Sequence, residues 1–128
     1  MSRRDAAWLA DIRHAVQAIA GYLDRGSHSE GIVYDAFRAR LMEIGEAVKN
    51  LDPSLLATAP EVRWREIARM RDQLAHHYFD TDHAIVEYIV HEELATLRIA
   101  VEALIERASS EAASPRHEPP QADDPASD

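Results

Sequence analysis

The feature that most restricts this chain is the apolar series Val33, Phe37, Leu41, Ile44, Val48 and Leu51. Its intervals of three and four residues put every member on one face of an α-helix, a pattern no strand can present. Such a stripe has to be buried against other helices. Gly45 falls within it, so a neighbouring helix can approach closely there at little packing cost. The run stops at Asp52-Pro53, since the residue before a proline is driven out of helical geometry.

The same periodicity recurs on both sides. Trp8, Ile12, Val16, Ile19 and Leu23 predict a helix over about residues 4–24, interrupted at Gly26-Ser27-His28-Ser29. After Leu51, residues 54–59 read as a short connector, and Pro60 suits the first turn of a third helix, where its missing N–H is not needed. That helix is expected to carry Trp64 or Ile67, Met70, Leu74 and Tyr78 inward and to fray near His76–Phe79. Asp80-Thr81-Asp82 offers N-cap oxygens for a fourth helix, whose apolar positions Val86, Val90, Leu94, Leu97, Val101 and Leu104 continue to about Ala108. Four amphipathic helices joined by short loops make an all-α, antiparallel four-helix bundle over residues 1–108 the economical fold. A chain of 128 residues supports one such core. Beyond Ala108 the sequence turns to Ser, Ala, Pro, Asp and Glu without a large apolar residue, so residues 109–128 are expected to form a disordered acidic tail.

Composition removes several function classes. With no cysteine, disulfides and thiolate metal sites are excluded, which suits a reducing cytoplasm, the location expected here. The N-terminal residues alternate polar and apolar, so neither a signal peptide nor a membrane span is expected. No glycine-rich phosphate loop or strand-like alternation supports a P-loop or Rossmann reading. The net charge of −9 disfavours a protein that coats nucleic acid broadly. The charge is uneven: residues 109–128 carry −4, whereas Arg63, Arg65, Arg69 and Arg71 against Glu61 and Glu66 make residues 61–71 locally +2. A local basic patch allows contact with phosphate at one place, although an ordinary charged helix face has the same composition.

Within Trp64–Phe79, arginine, acid, histidine and tyrosine crowd together as Arg71, Asp72, His76 and Tyr78. At ~100° per residue Arg71 and Tyr78 share a helix face, whereas Arg71 and His76 differ by about 140°. For both to meet one small ligand, the helix has to loosen before His76 or a second copy of the chain has to complete the site. Asp72 and His76 stand at i and i+4, close enough for the carboxylate to orient the imidazole. A neutral histidine can accept the proton of a ribose 2′-hydroxyl while an arginine fork holds the phosphate, and these two residue types suffice for RNA cleavage without a metal. Taken alone, the Arg-x4-His spacing equally describes a surface histidine at a helix end.

Other groupings carry less. His83, Glu87 and His91 lie at i, i+4 and i+8 and line one stripe of the fourth helix, which is either a divalent-metal patch or a solvated polar face. Carboxylate-bridged bundle sites take a Glu-x-x-His pair from each of two helices, and Glu43-x-x-Glu46 has no histidine partner. No metal and no other cofactor is therefore expected. Trp64 and Tyr78 are either stacking platforms for a base or packing residues.

The run from Pro60 to Phe79, with its Trp64-Arg65-Glu66-Ile67 lead-in and the motif Arg71, Asp72, His76 and Tyr78, resembles the signature of HepT-like proteins in the HEPN superfamily. Ile44-Gly45-Glu46-Ala47 resembles a second block of that family, and the element order agrees from about Arg4 to Ala108. The resemblance implies an all-α bundle that forms a homodimer, with Arg71 and His76 of both protomers lining a shared cleft. It further implies a metal-independent endoribonuclease toxin that cuts RNA or tRNA and is paired with an MntA-like nucleotidyltransferase antitoxin. That antitoxin would neutralise it by transferring AMP to the motif tyrosine. Carried over, Arg71 binds phosphate, His76 transfers the proton, Asp72 supports them and Tyr78 is the AMPylation acceptor. Asp72 departs from the asparagine common in the family and sets a carboxylate beside the phosphate-binding arginine. The competing expectation is a non-catalytic helical module that docks a minimal nucleotidyltransferase.

Overall fold

A computed structural model of the protein describes residues 1–24, 31–76 and 79–113, and within these spans all side chains except those of residues 31–33, 79–82 and 112–113. The described elements are α1 (Arg3–Asp24), α2 (Gly31–Asn50), α3 (Pro53–Leu56), α4 (Trp64–Ala75), α5 (Phe79–Tyr88), a π-helical turn (Ile89–Glu93) and α6 (Leu94–Ala113). Because α5, the π turn and α6 follow without a break, four rods build the bundle, and α3 is a single turn in a connector. The all-α class expected from the periodicity is the class observed, and no strand occurs among the described residues.

Contacts between helix ends establish direction. Near the start of α1, Asp5 accepts the backbone N–H of Asp52, just past the end of α2, at 3.1 Å. The Met1 amino group lies 4.0 Å from Glu111 near the end of α6, and Arg13 lies 3.8 Å from Glu102. Helix α1 thus runs antiparallel to both α2 and α6. The faces anticipated from spacing are the buried ones: Ile12, Val16 and Ile19 of α1, Phe37, Leu41, Ile44 and Val48 of α2, Ile67, Met70 and Leu74 of α4, and Leu97, Val101 and Leu104 of α6. Each such side chain contributes roughly 1.5–3 kcal/mol when removed from water.

Boundaries differ from expectation in four places. Helix α4 begins at Trp64, not near Pro60. Ala59 and Val62 are both buried, the N–H of Val62 bonds to the Ala59 carbonyl, and the Trp64 indole N–H donates to the same carbonyl at 2.9 Å. Those bonds fold residues 59–63 into a turn over the helix start. The proline that does open a helix is Pro53, where the Asp52 side chain accepts the Ser54 N–H and caps α3. Helix α5 resumes at Phe79, so Asp80-Thr81-Asp82 lies inside its first turn instead of ahead of it. No glycine or proline interrupts Phe79–Tyr88, and the helix propagates from its first available residue. Helix α6 continues to Ala113, past the last apolar position, because nothing opposes helix before Pro115; residues 114–128 lie outside the described residues.

The π turn has no counterpart in the sequence reading. Its wider ring buries Ile89 together with Glu93 and leaves Val90 half-buried. Glu93 is compensated inside: the Tyr88 hydroxyl donates to it at 3.0 Å and Arg63 approaches to 3.6 Å. That hydrogen bond to a carboxylate favours the neutral phenol and pushes the Tyr88 pKa up.

Candidate active site

The site is built where α4 crosses α2, and Gly45 governs the crossing. A Cβ at position 45 would stand 2.5 Å from Cβ of Arg71 and 3.2 Å from the Ile67 carbonyl oxygen. Only a glycine lets the backbone of α4 lie this close to α2 at the level of Arg71. The close approach expected of Gly45 is therefore realised, and its neighbour across the interface is the motif arginine.

From that position Arg71 emerges between two carboxylates. Its Nε lies 3.2 Å from Glu46 and its Nη1 lies 3.4 Å from Asp72. Asp72 is engaged in turn by Lys49 at 3.2 Å. Residues 46 and 49 of α2 are one turn apart and oppositely charged, and they face residues 71 and 72 of α4 with the complementary signs. The hydrogen bond from Lys49, more than the adjacent Arg71, holds the Asp72 carboxyl below the usual aspartate range. The Asp72 carboxylate is thus matched by a lysine. Asp72 pairs with Lys49 and Arg71, and not with His76 as the i, i+4 spacing allowed.

Arg71 also lines a cleft of about 550 Å³ between α1, α2 and α4, together with Trp8, Asp11, Arg40, Glu43 and Glu46. His76 is not among the lining residues. It is exposed at the C-cap of α4 with φ −84° and ψ −6°, still helical, and its N–H bonds to the Gln73 carbonyl. The Arg38 guanidinium donates to the Leu74 carbonyl and secures the same helix end. Of the two ways to bring Arg71 and His76 together, a loosened helix does not occur: α4 remains helical up to the histidine. By helical phase His76 falls within ~40° of exposed Arg65 and Arg69, on a different side of α4 from Arg71.

Tyr78, expected as the AMPylation acceptor, lies outside the described residues, as does His77. Trp64 is a packing residue, 9% exposed, with its indole N–H used by Ala59. On the polar stripe of α5 and the π turn, His83 stacks on Tyr34 and His91 lies 3.0 Å from Glu87, so the three side chains do not converge. No group of three His, Cys, Asp or Glu side chains suited to a metal occurs among the described residues. No described helix is long and apolar enough to cross a membrane.

Residues 12–104 match the family described as ribonuclease HepT-like. The chain belongs to the HepT-like family. A Thermococcus cleftensis protein named probable ribonuclease HepT is 35% identical over 103 residues, covering 77% of this chain and 93% of the relative. A Methanocaldococcus jannaschii protein, provisionally named an RNase, is 31% identical over 110 residues, covering 82% and 91% of the two chains. A Caldanaerobacter subterraneus protein with the same provisional name is 29% identical over 99 residues, covering 77% and 88%. No solved structure gives a match. In this HepT-like chain, the sequence marks Glu46 only within two short motifs and Trp8 only as an apolar position of α1, and it singles out neither Lys49 nor Asp11. The signal for Glu46 and Lys49 was available: an acid and a base three residues apart on α2, mirrored by Arg71-Asp72 on α4.

Proposed function

We propose that this HepT-like protein is a metal-independent endoribonuclease acting as a homodimer, in which His76 removes the 2′-hydroxyl proton of RNA and Arg71 holds the phosphate. The observation that carries this reading is the phase of α4. Arg71 and His76 lie on different sides of a helix that stays helical between them, so a phosphate held by Arg71 of one protomer meets His76 of the partner. Arg71 is prepared for that task, since Glu46 and Asp72 hold the guanidinium by Nε and Nη1 while Nη2 remains to meet an anion. As negative charge develops on the phosphate, a fixed guanidinium stabilises it without reorganising. The attacking 2′-oxygen displaces the 5′-oxygen of the next nucleotide and leaves a 2′,3′-cyclic phosphate. On the same reading the protein is the toxin of a two-gene pair, and an MntA-like nucleotidyltransferase silences it by transferring AMP from ATP to Tyr78.

RNA cleavage in EDTA tests the chemistry. Wild type is expected to yield 2′,3′-cyclic ends, and Arg71→Ala and His76→Ala are each expected to be inactive; equal activity in all three would remove the mechanism. Mixing the two inactive variants tests the shared site. Random pairing makes half of the dimers mixed, each with one intact site, so activity returns to about a quarter of wild type if the residues act across the dimer. No recovery in mixed dimers that demonstrably form rejects the composite site. Incubation with the antitoxin and ATP should place AMP on the peptide containing Tyr78, and Tyr78→Phe should remain unmodified; an adduct elsewhere overturns that assignment.

A further inference from the structure

Helix α1 brings Trp8, Asp11 and His14 to the cleft beside Arg71, and the cleavage chemistry uses none of them. Trp8 is half-buried, packed against the core, and lines the cleft. Asp11 follows it by one turn of α1, is exposed, and lines the same cleft. The other two carboxylates of the cleft are occupied, Glu43 by Arg40 at 2.7 Å and Glu46 by Arg71 at 3.2 Å. No ion pair or hydrogen bond holds Asp11 among the described residues. The volume of about 550 Å³ accommodates one nucleotide.

We propose that Trp8 and Asp11 form a base-recognition subsite beside Arg71 that takes a nucleotide of single-stranded RNA whose base carries an exocyclic amino group. This inference rests on the ribonuclease reading and adds to it a substrate preference. The base of a nucleotide next to a phosphate held by Arg71 enters the cleft and stacks on the indole, as unpaired bases do on aromatic side chains. Side chains at i and i+3 are neighbours on a helix, so the carboxylate of Asp11 stands at the edge of a base lying on Trp8. A carboxylate only accepts hydrogen bonds. Cytosine, adenine and guanine each present an amino donor to it, as cytosine N4 does to acidic side chains in nucleic-acid complexes. Uracil sets O4 where cytosine has its N4 amino group, and that oxygen offers the carboxylate no donor. Arg40 and Arg71 offset Glu43 and Glu46 in the cleft, which limits the repulsion a phosphate meets there.

Binding of 2′-O-methylated hexacytidylate and hexauridylate, which cannot be cleaved through the 2′-oxygen, separates base reading from stacking because the two differ at the amino position with equal ring size. By fluorescence anisotropy with the full chain, the cytidylate is expected to bind about tenfold more tightly, from one charge-assisted hydrogen bond. Asp11→Asn should bring that ratio close to one, since an amide both donates and accepts. Trp8→Ala should weaken both oligonucleotides about tenfold, and Trp8→Phe, which keeps a stacking ring, should restore most of the loss. Equal binding of the two by wild type, or an unchanged ratio in Asp11→Asn, overturns the subsite. If Trp8→Ala instead changes the oligomeric state in sedimentation with no effect on base preference, the cleft is a contact between copies and the proposal fails. Cleavage of ordinary RNA by the same preparation keeps the two readings distinct. Cleavage without base preference sinks the subsite alone, whereas Asp11-dependent preference without cleavage sinks the ribonuclease and leaves the subsite standing.

Discussion

Replacing Gly45 with alanine should destabilise the protein and disable the arginine at once, whereas the same change at Gly21 should stabilise it. At position 45 the new methyl would lie 2.5 Å from Cβ of Arg71, an atom that cannot swing away, and 3.2 Å from the Ile67 carbonyl oxygen. Carbon atoms settle ~3.5–4.0 Å apart, so α2 and α4 have to separate by about 1 Å. Forcing a methyl into a packed contact costs roughly 1–3 kcal/mol, and a clash with backbone-fixed atoms belongs at the upper end. Alanine returns about 1 kcal/mol through its better helix propensity. The net expectation is a loss of about 2 kcal/mol, or roughly 7–9 °C in Tm for a domain of about this size. At Gly21 no atom lies within 4 Å of the added methyl, so only the propensity gain of roughly 0.5–1 kcal/mol remains. Urea unfolding of wild type and both variants measures the pair, with unchanged m-values required for comparison. A Gly45→Ala protein as stable as wild type, or a Gly21→Ala protein that falls with it, would refute the close-packing account. The same separation moves Arg71 away from Glu46, and a misplacement of ~1 Å can cost up to ~100-fold in rate. Cleavage by the folded fraction should therefore drop well beyond the loss of folded protein.

Three further outcomes follow from single contacts. Lys49→Met removes the main group that holds the Asp72 carboxyl low, so its titration followed by NMR should move up toward the ordinary aspartate range; an unmoved titration would show that the pairing does not form in solution. Because the folded carboxyl titrates below the unfolded one, its pairing stabilises above the unfolded value and is lost as pH falls through the folded value. The acid-side decline in stability should accordingly be shallower in the variant. Trp64→Phe forfeits the indole hydrogen bond to Ala59 and some buried ring, and should cost about 1–2 kcal/mol in urea unfolding; an unchanged midpoint would deny the turn its anchor. Arg65 and Arg69 are exposed on the side of α4 that leads to His76. If each meets one phosphate, their double replacement by alanine should reduce the salt slope of single-stranded RNA binding by about 1.4, and an unchanged slope would exclude the stripe from the RNA path.

What the sequence determined by itself is the class of fold and the faces that hold it together. Intervals of three and four identify a helix whatever its neighbours are, which is why Phe37, Leu41, Ile67, Met70 and Leu104 were legible as core before any contact was known. The angle between Arg71 and His76 was legible for the same reason, since it depends only on helical geometry, whereas their choice as motif positions came from the resemblance to HepT-like proteins. Helix limits were less legible where tertiary bonds compete with local preference. Pro60 has the chemistry of a helix start, but the Trp64 indole bond to Ala59 and the burial of Val62 stabilise a turn instead. The π turn was invisible, because burying Glu93 depends on Tyr88 and on Arg63, which is 30 residues away in the chain. The surroundings of the site were decided by packing alone. Gly45 announces that some helix comes close, yet only the register of α2 against α4 sets Arg71 over it, Glu46 on its guanidinium and Lys49 on Asp72. Likewise Trp8 and Asp11 meet Arg71 only because α1 delivers them to the cleft that Arg71 enters. Periodicity is a property of one helix, whereas charge pairing and clefts are properties of two or more, and their geometry is set by how whole faces interlock.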